Sequence, residues 1–275
     1  MLKINLHSQY EEMTGFTFGR TPKYFEWVRS GGALDIYVDN EVRKEVEPLS
    51  CALLIEPRAI QPTVYDYILE NHDKFTVIFT HDSELLRLPN ARLVYFGGVY
   101  DFNSIRKDKN ISMVSSNKHI CAMHEERLQI IDELDKWNGV DTYGTWNGGE
   151  FADVYQYLAP YKYSVIIENY IDDYWFTEKI CNCFANMTIP IYLGARRIND
   201  IFHPLGIYQV TAPADIYSVV DYLLEHGERE YNWRYPFAKI NRHRVNDYVC
   251  FEDTFYRMYN GLLKVLADKR TVIGG

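Results

Sequence analysis

The chain has 275 residues, of which 47% are apolar and 15% aromatic, and it carries a formal net charge of −9. That composition excludes a disordered or low-complexity chain. An acidic balance without any basic run excludes a dedicated nucleic-acid binder.

The length suits two medium-sized domains. The cysteines Cys51, Cys121, Cys181, Cys183 and Cys250 are odd in number and contain no CxxC pair, so neither a disulfide framework nor a zinc site is expected. Free thiols suit a reducing compartment. The apolar stretch at the N-terminus is too short for a signal peptide. No run approaches the roughly 20 apolar residues that a spanning helix needs, so a soluble, cytoplasmic protein is expected. The 23 tyrosines offer surfaces that are both apolar and hydrogen-bonding, which suits sugar clefts and ordinary cores alike.

Short apolar runs alternate with helix-like stretches, the pattern of an α/β fold with parallel sheets. In the first part the runs predict strands at 2–6, 33–38, 52–55, 75–79 and 92–96, and helices near 22–29 and 63–71. The polar segment 101–110 reads as a linker. The second part opens on a strand at 111–115, a helix at 125–137 and a strand at 140–143, followed by a short helix at 151–158. Its best-defined unit runs from Tyr163 to Gly194: an apolar strand ending at Glu168, a loop, Thr177 as helix N-cap, then Ile180, Cys183, Phe184 and Met187 on one stripe and a returning strand at 189–193. A right-handed βαβ crossover is expected. A helix at 215–225 is predicted to stop at Gly227, and a last one spans 252–266. The predicted division is 1–110 and 111–250, with helix 252–266 packing back on the first domain.

In open α/β sheets ligands sit beyond the carboxyl ends of the strands, where Glu168 and Ser116–Asn117 lie. Thr177-Glu178-Lys179 opens a helix, and free N–H groups with the macrodipole make helix starts favourable for phosphate. Lysine there opposes the dipole unless an anion is present; the alternative is a surface lysine reaching into solvent. Glu168 reads either as an acceptor for sugar hydroxyls or as a cap on loop amides.

The stretch YKYSVIIENYIDDYWFTEKICNCFANMTIPIYLGA, residues 161–195, resembles the donor-binding signature of the α-1,3-fucosyltransferases, glycosyltransferase family 10. The Glu-Asn pair, the Thr-Glu-Lys triplet, the spacing between them and Ile-Pro-Ile-Tyr-Leu-Gly all match. Upstream, Ser116-Asn117, Arg127 at a helix and Val140-Asp141-Thr142-Tyr143-Gly144 resemble a second family pattern. The resemblance covers about residues 111–225 and is much thinner in the first part.

It implies a GT-B-like architecture, two Rossmann-type domains whose parallel sheets face a central cleft, with the donor in the C-terminal domain. It implies an inverting transfer of fucose from GDP-fucose to a glycan hydroxyl. Arg127 and Lys179 would neutralise the diphosphate, the planar guanidinium gripping two oxygens at once. Glu178 would hold the ribose and Glu168 and Asn169 would border the sugar. Asn117, Tyr174 and Thr177 belong to the same donor set, and Tyr143 would lie near the base. The alternative for Arg127 is a helix-surface salt bridge with Glu126 or Glu133. Trp175 stands where the family has a tyrosine, so the donor sugar is open: indole has a single N–H donor and no hydroxyl.

The base should follow a first-domain strand. Thr80-His81-Asp82-Ser83 sits where family members show a Thr-Gly-Glu-Asn-like turn, which puts Asp82 at the glutamate's position. Glu56, after the strand at 52–55, competes, and Asp82 has the alternative of capping the next turn. Asp172-Asp173 and the pair Asp35 and Asp39 form no metal motif, and no cofactor is expected. No GxGxxG or P-loop pattern is present. The expected partners are a nucleotide-sugar donor and a glycan acceptor, in a bacterial or viral protein. The rival readings are another nucleotide-sugar donor, or a glycan-binding relative without catalysis.

Overall fold

A computed structural model describes residues 1–9, 16 and 20–273, and these fall into two compact units, one holding the described residues up to 96 with 250–273 and the other 97–249.

The first unit is built on a six-stranded sheet, β1 (Leu2–His7), β2 (Phe25–Val28), β3 (Asp35–Val38), β4 (Cys51–Leu53), β5 (Val77–Thr80) and β6 (Ala91–Leu93). The order is β2-β1-β3-β4-β5-β6 and every pairing is parallel. β3, β4 and β5 are buried along their whole length, which is why they read as unbroken apolar runs instead of alternating ones. Helix α1 (Pro62–Asn71) covers one face with Val64, Tyr65 and Ile68. The segment 22–29, predicted helical, is the edge strand β2. Phe25 and Trp27 turn inward while Glu26 stays exposed, a period of two that the flanking charges obscured.

The second unit carries β7 (Lys109–Val114), α2 (Ala122–Leu134), β8 (Val140–Tyr143), α3 (Val154–Tyr157), β9 (Tyr161–Ile167), α4 (Glu178–Ala185), β10 (Ile189–Leu193), β11 (Tyr208–Gln209) and α5 (Pro213–Arg244). Its sheet is again wholly parallel, ordered β11-β10-β9-β7-β8. Ile111, Met113, Tyr163, Val165, Ile189 and Ile191 form its core with Ile130, Ile131, Leu223 and Val220. The segment 97–110 is tied to this unit. Tyr100 N–H donates to Asn182 Oδ1 at 2.9 Å, and Lys107 Nζ donates to Ala159 O at 2.6 Å and Thr188 Oγ1 at 3.0 Å.

Two predicted helix limits move. Helix α5 does not stop at Gly227 but runs to Arg244. Gly227 is a packing glycine: a Cβ there would meet Asn110 Oδ1 at 2.6 Å, and its carbonyl accepts the Tyr163 hydroxyl at 2.9 Å. Helix α4 ends at Ala185, and Met187 turns the chain at φ +59, a left-handed exit of the kind that closes many helices. The last helix, α6 (Phe251–Ile273), belongs to the first unit, where Phe255 packs edge-on against Phe79 at 4.7 Å. Among the described residues no helix is long and apolar enough to cross a membrane.

Candidate functional site

Three parallel strands of the second unit deliver the site. β7 lies between β8 and β9, so the chain beyond Val114 emerges beside Tyr143 and the end of β9. Ser115 N–H donates to Tyr143 O at 3.1 Å. Gly144 follows at φ +96, and a Cβ there would collide with Ser115 O. Only glycine lets the β8 loop turn away that close to its neighbour.

Arg127 arrives from α2. It shares the buried face of that helix with Ile130, Ile131 and Leu134, is 6% exposed, and its Nε donates to Ser115 Oγ at 3.0 Å. It makes neither of the surface salt bridges weighed from sequence. Burial lowers its pKa, while the Glu168, Cys121 and Glu178 charges raise it. His124, one helical turn earlier, is buried and held down to about 4 by burial and the charges of Arg127, Lys118 and Lys179.

The start of α4 supplies the second cation. Thr177 is the N-cap, its Oγ1 accepting the Lys179 N–H at 3.3 Å. Its own N–H and hydroxyl donate to the Glu168 carboxylate at 3.0 and 2.9 Å. Lys179 Nζ donates to Thr177 Oγ1 at 3.0 Å and Glu168 Oε2 at 3.3 Å, and lies 3.6 Å from Glu178 Oε1. Glu168 is fully buried, and a Cβ on Gly194 would press on its Cγ at 2.7 Å. Burial pushes the Glu168 carboxyl up, against the pull of the Lys179 charge. Burial would lower Lys179, but Glu168 and Glu178 outweigh it and hold the ammonium above its ordinary value.

Arg127 and Lys179, together with Ser115, Ser116, Tyr157 and Glu178, wall one cavity of about 170 Å³, completed by Val114 and residues 165–167. A second cavity of about 440 Å³ shares Val114, Tyr157 and Glu178 with it and adds Tyr100, Asp101, Phe151, Asp153 and Tyr155. A third, of about 260 Å³, is lined by Tyr143, Gly144, Trp146 and Phe151 among others. A guanidinium, an ammonium and a helix start at one wall complement a phosphorylated ligand, and the Glu178 carboxylate at the junction can accept from hydroxyls.

The family model for glycosyltransferase family 10 (fucosyltransferase), C-terminal part, matches residues 104–257. The chain belongs to glycosyltransferase family 10. It is 26% identical over 155 residues to the 4-galactosyl-N-acetylglucosaminide 3-alpha-L-fucosyltransferase 9 of Bos taurus, a match covering 56% of this chain and 40% of that relative's length. Among solved structures it is similar to a crystal structure of an α1,3-fucosyltransferase, with a TM-score of 0.55, 13% identity and coverage of 90% of this chain and 88% of the other. A crystal structure of an α1,3-fucosyltransferase with GDP-fucose matches at a TM-score of 0.52 and 15% identity, over 97% of this chain and 90% of the other. The fold is of the GT-B class, two α/β units each on a parallel sheet.

The family's other signature positions fall as follows. Trp175 is buried, and its indole N–H donates to Asn169 Oδ1 at 3.1 Å, so these two side chains are tied to each other. The Tyr174 hydroxyl accepts from Arg197 at 2.6 Å at the surface. Tyr143 shares a 2.6 Å hydrogen bond with the Tyr161 hydroxyl. Asn117 is exposed in the loop after β7. Glu168 stands behind Lys179 and Thr177 and is absent from the cavity walls.

In the first unit, Glu56 and Asp82 both lie beyond carboxyl ends of the sheet, after β4 and β5. Asp82 is 1% exposed. Arg58 grips both its oxygens at 2.9 and 3.0 Å, and Oδ1 caps the Glu84 and Leu85 N–H groups at 3.1 and 2.9 Å. That is the capping arrangement with a bidentate ion pair added. Glu56 is half-buried, its N–H turned to Asp39 and its carbonyl accepting the Tyr65 hydroxyl at 2.7 Å.

Sequence reading passed over Ser115, Tyr157 and Arg58, and weighed Asp39 only as half of a metal motif. Ser115 had a signal, since it ends an apolar strand directly before Ser116-Asn117. Arg58 had none, because its pairing with Asp82 joins the ends of adjacent strands.

Proposed function

We propose that the chain transfers fucose from GDP-fucose to a glycan hydroxyl with inversion at the anomeric carbon. The observation that carries this reading is the meeting of Arg127 and Lys179, from separate helices, at the wall of one cavity. Membership of the family and the fold likeness to an α1,3-fucosyltransferase with GDP-fucose support it.

In this reading the pyrophosphate takes the place between the two cations. Arg127, its Nε fixed by Ser115, presents its terminal nitrogens to phosphate oxygens. Lys179 adds a point charge and the α4 start adds backbone N–H groups. Glu178 accepts the ribose hydroxyls, and Glu168 positions Lys179 instead of touching the sugar. The acceptor oxygen attacks the anomeric carbon as the bond to the phosphate oxygen breaks. GDP departs with that electron pair, its growing charge met by the two cations. The hydroxyl proton passes to a carboxylate of the first unit. Glu56 and Asp82 are the two candidates for that role, and the Asp82 oxygens already hold Arg58 and two backbone amides.

A second donor is favoured by one observation: Trp175 spends its single N–H on Asn169, where a tyrosine would offer a hydroxyl to phosphate. Calorimetry with GDP against UDP, followed by GDP release from GDP-fucose, tests both readings. GDP binding with turnover supports fucosyl transfer, and tighter UDP binding supports the other donor. A folded protein that binds neither would refute the proposal.

A further inference from the structure

Helix α5 buries Tyr231, Ala238 and Asn241 along one side of its C-terminal half. The opposite side of a surface helix is ordinarily polar. Here Trp233, Pro236 and Ile240 stand outward at i, i+3 and i+7, with Trp233 53% and Ile240 38% exposed. The turn Pro204–Gly206 adds Leu205, 37% exposed. Asn241 has no exposed surface and ties that turn to the helix. Its Oδ1 accepts the His203 N–H at 2.6 Å and its Nδ2 donates to the His203 carbonyl at 3.1 Å. Arg234 donates to the Leu205 carbonyl at 2.9 Å. Trp233 meets Phe237 edge-on at 5.8 Å, and Phe237 stacks on His203 at 4.7 Å. A hydrogen-bonded scaffold therefore holds these apolar side chains facing water, and an exposed apolar patch of this kind marks an interaction surface.

Charge is sorted along the same helix. From Asp221 to Glu230 there are four carboxylates and one arginine, whereas from Tyr231 to Asn246 there are four Lys and Arg residues and no carboxylate. Arg242 turns inward to the Asn103 and Ala185 carbonyls at 2.7 and 2.6 Å, and Arg234 lies over the Tyr208 ring at 3.9 Å. Lys239 and Arg244 stay exposed beside the apolar stripe. The Lys239 ammonium sits 4.7 Å above the Tyr235 ring, and Arg244 donates to the Ile201 carbonyl at 3.0 Å. A positive, aromatic edge thus stands out on a chain of net charge −9. Helical turns bring its cations together, so no contiguous basic run marks it in the sequence.

A specific protein partner needs roughly 1,000 Å² of interlocking surface, and none of the three cavities is lined by these side chains. A helix ridge carrying Trp, Tyr and Ile between Lys and Arg has instead the composition of helices that lie in a headgroup layer. The apolar side chains reach the acyl boundary there and the cations meet anionic headgroups.

We propose that this face of α5 seats the second unit on the surface of an anionic lipid bilayer, with Trp233, Ile240 and Leu205 entering the headgroup layer and Lys239 and Arg244 on the lipid phosphates. So few side chains give a weak, reversible contact and not an anchor.

The test sediments the full chain with vesicles of phosphatidylcholine alone, or of phosphatidylcholine with about one-third phosphatidylglycerol. The chain should pellet with the anionic vesicles, and less so at high salt. K239A/R244A should weaken that binding about thirtyfold, the effect of two charges at such a surface. W233A/I240A should abolish it, with circular dichroism showing the fold retained; should that variant unfold, K239A/R244A decides alone. Failure to pellet with either vesicle, or equal pelleting with both, overturns the proposal. So does wild-type binding by both variants, which would put the contact elsewhere. A dimer in sedimentation velocity that W233A/I240A dissolves, without vesicle binding by the wild type, would give the face to a second copy and also overturn it.

Discussion

The Lys179 ammonium lies 3.3 Å from the carboxylate of Glu168, a residue with no exposed surface. In the proposed site Lys179 would serve two charges, the buried one behind it and the donor's phosphate in the cavity ahead. K179A should weaken GDP binding by about 1.5–3 kcal/mol, the range for a hydrogen bond to a charged group. Calorimetry checks it, and an unchanged Kd would falsify the phosphate role.

The Arg127 Nε donates to Ser115 Oγ at 3.0 Å. S115A frees the guanidinium to turn without removing its charge. GDP affinity should fall by about 0.5–1.5 kcal/mol, and the loss should vanish in an R127A background, because the two side chains act as one unit. Additive losses in the double variant would show that Ser115 acts by another route.

The two first-unit carboxylates should separate stability from turnover. D82A strips Arg58 of its bidentate partner and uncaps two amides, and should cost about 2–3 kcal/mol in denaturant unfolding. E56Q keeps the size of the side chain, and turnover should drop about 10²–10⁴-fold beyond any loss of stability, the range for loss of a general base. The opposite pattern would return the base to Asp82.

Glu252 in α6 is fully buried, where it accepts the Trp27 indole N–H at 2.9 Å and the Phe16 N–H. Burial pushes its carboxyl up, against the pull of those bonds. The folded protein therefore holds this proton more tightly than the unfolded chain does. Its contribution to stability is intact below the ordinary glutamate pKa and is lost as the pH rises through the folded value. E252Q keeps an acceptor and removes the titration, so its Tm relative to wild type should be higher at pH 8 than at pH 4.5. Equal differences at the two pH values would refute the assignment.

The βαβ unit around α4 was legible in the sequence because its signals are local. An N-cap at Thr177, a stripe at helical spacing and an apolar returning strand each span only a turn or a strand of chain. The family signature lies on that same stretch, so Lys179 could be singled out from residues alone, as Arg127 could from the pattern upstream. The tertiary structure decided what those residues touch. Arg127 and Lys179 share a cavity only because β9 inserts between β7 and β10, and strand order is carried by no short-range pattern. The same holds for Glu168 behind Lys179, Arg58 on Asp82 and Asp39 beneath Glu56: each joins the ends of separate segments. Edge strand β2 and the unbroken helix through Gly227 were likewise settled by neighbours, β1 and Asn110. Local propensity yields wherever burial against a distant segment is worth more.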